Sequence, residues 1–286
     1  MAKTIQQMIR EADQHGFSIG DPIRLDPFEQ ELLGNALFVD SAQPLLHFVN
    51  ADNFLKLLAN RALWFRRIDD FQDKYEGKLP AANRTTFSNF TTKVMRQLGM
   101  KATDVALRQR LIDDPVRMMT YVHCWYGSPA ESEEMWNRFG GGGKGVCIET
   151  SAGRLQAAIQ PSPDLAIQLH KVTYSGERTP VPAEISFLAA CRKADRPEFV
   201  SEKELRLVAQ MSLAQWPQGK PINESPDSRL VPVDFGRLFK AVFLGSRMDA
   251  MTADKIECSA NMAAGSRVVR KSAVACRATA PNSSQP

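Results

Sequence analysis

The sequence predicts an α+β fold, because short strand-like and helix-like segments follow one another irregularly and not in the βαβα rhythm of a parallel sheet. Residues 45–49 (LLHFV) form a short apolar run, and residues 118–126 (MMTYVHCWY) are rich in aromatic and β-branched side chains. Both segments therefore predict strands. Residues 50–63 repeat their apolar side chains at helical spacing, which predicts a helix with Asn50 or Asp52 as its N-cap.

The remaining elements follow from the same patterns. Further strands are predicted at WFRRI (64–68), GVCIET (145–150), HKVTYS (170–175), ELRLVAQM (204–211), KAVFLGS (240–246) and RVVRKSAVACRA (267–278). Further helices are predicted at 4–14, near 28–33, and at 87–112, 131–139 and 184–194. The stretch DDFQDKYEG (69–77) reads as a polar loop, whose acidic residues, Glu76 among them, are typical of a solvated turn.

The chain has 286 residues, which favours one large domain with extensions. We predict an N-terminal helical extension over 1–44, a single α+β domain over 45–278, and a disordered polar tail over 279–286. The 36 lysines and arginines exceed the 32 aspartates and glutamates by only four, so the charge alone does not indicate nucleic-acid binding.

Cysteine usage and hydropathy predict a cytoplasmic protein. The five cysteines include no CxxC pair, and no stretch has the length and apolarity of a signal peptide or a membrane span. A metal site is not expected either. His123 adjoins Cys124, but neighbouring residues of a strand point to opposite faces and do not share a metal.

The glycine run GGGGK (140–144) resembles a phosphate-binding loop, but its context is reversed. A P-loop runs from strand to helix, so that the phosphate meets the helix N-terminus. Here a helix comes first and a strand follows, and the lysine has no Ser or Thr after it. We therefore interpret the run as a helix-to-strand connection, with Gly140 as the residue of positive φ that ends the helix. Lys144 remains a candidate to meet phosphate from the rim of a site.

Two segments contain candidate chemistry. His47 interrupts an apolar strand, where a lone histidine is more often a core residue with local hydrogen bonds. In a strand, Glu202, Glu204 and Arg206 would point to the same face. Two carboxylates beside an arginine predict unequal pKa values and an acid–base or cation-stabilising pair. The spacing alone favours the alternative, a solvated edge face.

Nine short motifs in order resemble the bacterial domain of unknown function 2971 family, from about Leu45 to Arg277. They are a strand with His47-Phe48-Val49, Leu63-Trp64-Phe65, Phe71-Gln72-Asp73 through Glu76-Gly77, Cys124-Trp125-Tyr126, Ser132 with Met135-Trp136 and Phe139, Lys144 to Ile148, Val172 with Tyr174, Glu202 to Arg206, and Leu244 to Arg247. More remotely, this family resembles ADP-ribosyltransferases, which include DNA-modifying toxins. That resemblance implies a split antiparallel β-sheet core with surrounding helices.

The same resemblance implies a set of roles around NAD as substrate, without a metal. His47 would hydrogen-bond the nicotinamide-side ribose, and Trp125 or Tyr126 would stack on nicotinamide. Glu204 would stabilise the oxocarbenium-like transition state, and Glu202 would steer the acceptor. Arg206 and Lys144 complete the predicted cofactor-binding residues. The acceptor would be a nucleic acid or a protein, as for a toxin or phage-defence effector.

Departures from the family pattern leave a second hypothesis. Phe48-Val49 stands where the family has Tyr-Thr, so any hydroxyl role on the first strand is lost. Trp125-Tyr126 stands where the family has Phe-Ser, so a serine of the second strand is missing. The alternative to an enzyme is a non-catalytic module of the same fold that binds a nucleotide or a protein. Trp136, which lies in a helical segment, is expected to be a buried packing residue and not a ligand-stacking one.

Overall fold

The computed structural model describes residues 39–71, 76–77, 117–174, 191–193, 197–211 and 226–274. Its strands are β1 (Pro44–Val49), β2 (Ala62–Arg67), β3 (Thr120–Tyr126), β4 (Val146–Ser151), β5 (Leu165–Lys171), β6 (Thr173–Tyr174), β7 (Arg192–Lys193), β8 (Glu204–Met211), β9 (Ser228–Pro232), β10 (Ala241–Leu244) and β11 (Val269–Lys271). Its helices are α1 (Ala51–Asn60), α2 (Glu133–Arg138), α3 (Ala152–Ala158), α4 (Pro197–Val200), α5 (Phe235–Leu238) and α6 (Ala250–Ala264).

Nine of these strands form one large sheet, and β6 and β7 form a separate parallel pair. The order along the large sheet is β11-β10-β4-β1-β3-β2-β9, with β8 also paired to β3 and β5 to β8. Every pairing in it is antiparallel except that of β10 with β11. A large, mostly antiparallel sheet with several helices confirms the predicted α+β class.

The sheet divides into two branches at β3, and we call this place the fork. On one edge, β3 pairs with β8 over its whole length. On the other edge, its residues 121–122 pair with β2, whereas Tyr126 pairs with Leu46 of β1. Within the described strands, residues 123–125 have no Cα partner on this edge. The strands β1 and β2 therefore diverge there, one leading to β4 and the other to β9.

The main hydrophobic core covers one face of the sheet. Helices α1, α3, α5 and α6 pack on that face through side chains such as Phe54, Leu155, Phe235 and Ile256, all fully buried. Burying a side chain of this size contributes about 1.5–3 kcal/mol. The opposite face carries smaller apolar clusters and, along β8, charged residues. Because side chains alternate along a strand, β8 contributes apolar side chains to the core on one face and charged side chains to the other.

Helix α1 connects the two branches and begins after Asn50, one of the two N-cap residues that the sequence predicts. Oδ1 of Asn50 accepts a hydrogen bond from the Asn53 backbone N–H at 2.8 Å, so Asn50 is the N-cap. The helix ends at Arg61, whose φ of 49° is left-handed and whose N–H bonds the carbonyl oxygens of Leu57 and Leu58. The short helix therefore returns the chain directly into β2.

The predicted positive φ at Gly140 is wrong. Its φ is −89°, and the left-handed residues are the three that follow, Gly141, Gly142 and Gly143, in a 3₁₀ turn. Position 140 needs glycine for another reason, because a Cβ there would lie 2.3 Å from the Trp136 ring. The helix-to-strand interpretation of this segment is confirmed, since α2 precedes it and β4 follows.

Other differences concern segment boundaries. Strand β5 begins at Leu165, five residues before the predicted 170–175 segment. Residues 192–193, predicted at the end of a helix, form β7. None of the predicted segments covers α3, β9, α5 or α6. The predicted helices at 4–14, 28–33 and 87–112, most of 184–194, and the tail 279–286 lie outside the described residues.

Candidate functional site

A cavity of about 620 Å³ opens at the fork. This volume lies within the range of roughly 300–1,000 Å³ usual for small-molecule sites. Its lining is Leu46, His47 and Phe48 of β1; Arg66 of β2 with Phe71 and Glu76; Cys124, Trp125 and Tyr126 of β3; Met135 and Arg138 of α2 with Phe139; and Lys193, Phe199, Glu202 and Glu204. The cavity thus combines aromatic walls with a group of charged side chains.

Two histidines occupy the gap between the diverging strands. Nδ1 of His47 donates to the Cys124 carbonyl at 3.0 Å, and Nδ1 of His123 donates to the Trp64 carbonyl at 3.0 Å. The ring centroids are 4.5 Å apart. Each imidazole therefore takes the place of a backbone partner that the fork removes. The half-buried His47, but not His123, also lines the cavity.

Both imidazoles are neutral near pH 7. Burial lowers the pKa of His47 to about 4, against the smaller opposing effect of its bond to Cys124. Burial, and then the neighbouring His47, lower the pKa of His123 to about 3. Because a neutral ring that donates through Nδ1 has a lone pair on Nε2, His47 offers a hydrogen-bond acceptor to the cavity.

The aromatic residues predicted to stack on a ligand lie at different depths. Trp125 is 1% exposed and packs mainly into the core, at 5.2 Å from the His47 ring. Its Nε1, like Nε2 of His123, is buried without a hydrogen-bond partner in the described part of the chain. Tyr126 is 9% exposed and makes an edge contact with Phe48. Tyr126 is therefore the more accessible of the two.

The charged residues of β8 and the nearby Glu202 are buried, so the predicted solvated edge face is wrong. Glu202 and Glu204 are each 5% exposed and Arg206 is 0% exposed. The reason is that β8 has neighbours on both edges, β3 and β5, and is not an edge strand. Burial of unpaired charges is costly, so these groups need partners of opposite charge.

The partners come from distant parts of the sequence. Nε of Arg206 lies 2.7 Å from Oε1 of Glu204, and its Nη2 lies 3.1 Å from Oε2 of Glu76. Nζ of Lys193 lies 2.7 Å from Glu204 and 2.5 Å from Glu202. Three carboxylates and the two buried cations thus form one connected group, which we call the ionic cluster: Glu76, Lys193, Glu202, Glu204 and Arg206.

Glu204 is a carboxylate at neutral pH. Burial alone would raise the pKa of its carboxyl group, but the charges of Arg206 and Lys193 and hydrogen bonds from Arg206 and the Cys124 thiol lower it well below its usual value. Burial and the nearby Glu204 raise the pKa of Cys124 well above its ordinary range, so this cysteine is an inert thiol and not a nucleophile.

A backbone turn brings Glu202 to the cluster although it precedes the strand. Lys203 has a φ of 42°, a left-handed conformation, and β8 begins only at Glu204. The Glu204 backbone N–H donates to the Tyr174 hydroxyl at 2.9 Å, which fixes the start of β8 against β6. Glu202 then reaches Arg138 of α2, whose Nη2 lies 2.5 Å from Oε1.

Several site residues were missed by sequence reasoning. Glu76 is 2% exposed, so its assignment to a solvated turn is wrong. Lys193 lies in a segment predicted as helix, and Arg138 sits in a helix without a charge pattern that singles it out. Of the predicted residues, Arg206 lies in the ionic cluster behind the cavity lining, and the exposed Lys144 does not line the cavity.

Trp136 has the packing role that the sequence predicts. It is fully buried, makes an edge contact with Phe48 at 5.2 Å, and its Nε1 donates to Glu131 at 2.9 Å. It does not line the cavity. Trp136 therefore fixes α2 against β1, which in turn positions Arg138 at the site.

A family model described as "Protein of unknown function (DUF2971)" matches residues 135–207. Over this segment the chain is similar to that family. The match runs from α2 to β8 and includes Lys193, Glu202, Glu204 and Arg206. No curated protein and no solved structure matches the chain. The likeness to ADP-ribosyltransferases therefore stays a prediction.

Among the described residues, no group of three or more His, Cys, Asp or Glu side chains is placed to hold a metal ion. In the same part of the chain, no helix combines the length and apolarity needed to span a bilayer.

Proposed function

We propose that the cavity at the fork binds NAD and that the protein is an ADP-ribosyltransferase-like enzyme, which releases nicotinamide and passes ADP-ribose to a nucleic acid, a protein or water. One observation carries the proposal: His47, Tyr126 and Glu204, which the resemblance implies as ribose, nicotinamide and oxocarbenium contacts, line a single cavity with Glu202. These residues are up to 157 positions apart in sequence, from 47 to 204.

The chemistry needs a fixed negative charge beside the ribose. The bond between C1′ and the nicotinamide nitrogen breaks, and its electron pair leaves with nicotinamide, whose ring becomes neutral. Positive charge develops on C1′ and the ring oxygen of the ribose. The nucleophile then adds to C1′ and loses a proton. Glu204 is ionised and held by buried partners, so it supplies that charge without reorganisation.

The other residues would bind and orient the dinucleotide. Nε2 of His47 accepts a hydrogen bond from a ribose hydroxyl, because its Nδ1 is already committed to Cys124. Tyr126 offers an aromatic surface to the nicotinamide ring. Arg138, which is one-third exposed beside Glu202, lies where an incoming acceptor would meet that carboxylate. Glu202 thereby has the place expected of an acceptor-orienting residue.

A second candidate is a non-catalytic nucleotide-binding module, and one observation favours it. Both oxygens of Glu204 are occupied, Oε1 by Arg206 and Oε2 by Lys193. A carboxylate compensated in this way offers less charge to a developing cation than a free one. The two candidates predict the same ligand but differ in whether nicotinamide is released.

The test measures NAD binding by calorimetry and nicotinamide release by chromatography, with and without cell extract as a source of acceptor. In Glu204→Gln, NAD binding is expected to stay within a few-fold of wild type while turnover falls on the order of a hundredfold. Glu202→Gln should lower transfer more than hydrolysis. Glu257→Gln, on the exposed face of α6, is the matched control.

The outcomes separate the candidates. NAD that binds without any release of nicotinamide, in extract as well as in buffer, supports the binding module. Absence of NAD binding contradicts both. Turnover that survives in Glu204→Gln assigns the charge stabilisation to another carboxylate.

A further inference from the structure

We propose that Lys193 is the positioning residue of this site: its ammonium group holds Glu202 and Glu204 in one fixed arrangement. The role in catalysis rests on the proposed function, since it matters for turnover only if these carboxylates serve ribosyl transfer. The arrangement of the three side chains is independent of that function and is tested separately below.

The contacts of Lys193 reach all three buried carboxylates. Its Nζ lies 2.5 Å from Oε2 of Glu202, 2.7 Å from Oε2 of Glu204 and 3.7 Å from Oε1 of Glu76. An ammonium group has three donors and a charge concentrated on one atom, so it can join several carboxylates that would otherwise repel one another. Lys193 thus sets the distance between Glu202 and Glu204 in the cavity wall.

The position of Lys193 distinguishes it from Arg206. Arg206 lies within β8 and behind the cavity, whereas Lys193 lines the cavity and comes from β7, outside the large sheet. Its ammonium also lies 5.1 Å from the centre of the Phe199 ring. Because Lys193 lines the cavity together with Glu202 and Glu204, it contacts these carboxylates where a substrate would meet them.

Other charged and titratable groups around Glu204 must be weighed in any pH measurement. Arg206 lies on the same strand, Cys124 faces it from β3 and Tyr174 from β6. The remaining groups of the site are Glu76, Glu202, Arg138 of α2, Arg66 of β2 and His47 of β1. Arg206 stays in place when Lys193 is replaced, so Glu204 keeps one cationic partner, whereas Glu202 keeps Arg138.

Lys193→Met removes the charge and keeps most of the side-chain volume. In wild type, nicotinamide release is expected to fall on the acid side as Glu204 becomes protonated. In Lys193→Met this acid limb should move up by at least one pH unit, that is, a tenfold change in proton concentration. Lys255→Met, at an exposed position of α6, should leave the profile unchanged.

A second readout does not need turnover. In protein labelled with ¹³C-glutamate, the carboxyl signal of Glu204 can be assigned from the Glu204→Gln variant and titrated. This titration should move up by at least one unit in Lys193→Met, because Lys193 helps to keep the pKa of Glu204 low. If wild type releases no nicotinamide, the proposed function fails while this titration still decides the role of Lys193.

A merely structural lysine gives a different result. It would lower stability but leave the pH profile and the Glu204 titration within a few tenths of a unit of wild type, and this outcome overturns the proposal. If Lys193→Met does not fold, Lys193→Met with Glu202→Gln removes one charge of each sign. That double variant should fold and titrate Glu204 at higher pH than Glu202→Gln alone; an unfolded double variant, or an unmoved titration, also overturns the proposal.

Discussion

Arg206→Met is the sharpest test of the ionic cluster as an energetic unit. Methionine has a similar length but no charge and no N–H donors. The arginine side chain is 0% exposed and contacts Glu204 at 2.7 Å and Glu76 at 3.1 Å. Its removal leaves Lys193 in contact with Glu204 and takes from Glu76 its ion pair with Arg206.

The expected loss follows from burial. Removing one partner of a buried ion pair costs about 3–5 kcal/mol, because the other charge stays out of water. For a chain of this size, this corresponds to a lowering of Tm by about 6–20 °C. The matched control is Arg237→Met, whose pair with Asp234 is 67% and 46% exposed on its two sides. An exposed pair of this kind contributes about 0–1 kcal/mol.

The assay is urea unfolding of both variants at several pH values. Because the folded-state pKa of Glu204 lies below its unfolded value, its stabilising contribution is complete above the ordinary carboxyl pKa and fades as the pH falls through the folded value. In Arg206→Met, protonation can neutralise the stranded carboxylate. The difference from wild type should therefore be larger at pH 7 than at pH 4. A loss below about 1 kcal/mol at pH 7 would refute the reasoning.

Two further predictions concern the fork and the glycine loop. The imidazole NMR signals of His47 and His123 should not titrate between pH 5.5 and 8, because their pKa values lie at about 4 and about 3. The free energy of unfolding should decline as the pH falls below about 6.5, since the unfolded chain binds these protons first. Titration of either ring near pH 6.5 would contradict the assignment of both rings as buried and neutral. Gly245→Ala should cost about 1–3 kcal/mol in urea unfolding, because its Cβ would stand 2.2 Å from the Gly143 carbonyl oxygen, a backbone atom. A variant as stable as wild type would show that the loop can move aside.

The sequence predicts the elements in which one local pattern dominates. Strand β1, helix α1 and strand β8 have unmixed periodicity, and their ends lie within three residues of the predicted segments. Helix α6 was missed although it has clear end signals, with Asp249 as N-cap and Gly265 left-handed at its C-terminus. Its residues are mostly small or polar, so its sequence shows only a weak apolar periodicity. Its inner face is recognised only in the structure, where Ile256 and Ala260 are buried.

The site was predicted only where its residues lie on regular strands. The spacing of Glu204 and Arg206 correctly places both on one face of β8. Whether that face is solvated depends on which strands flank β8, and these come from residues 120–126 and 165–171. No local pattern contains that information. Lys193 and Glu76 reach the cluster from outside the large sheet, so spacing could not relate them to Glu204.

The fork itself argues for a ligand more strongly than any single residue. A sheet selected only for stability would continue the ladder between β1 and β3, since each backbone bond made there satisfies a donor and an acceptor. Here the ladder stops after Leu46 and Tyr126, and two imidazoles substitute for the missing bonds. The substitution leaves Nε2 of His123 and Nε1 of Trp125 buried without a partner in the described residues, at a cost of about 1–3 kcal/mol each. Beside this gap stand the three glutamates of the ionic cluster, all of which line the cavity. An open sheet whose gap is lined by polar and charged groups is costly for folding, and binding of a polar molecule with an aromatic part gives a physical reason for retaining it.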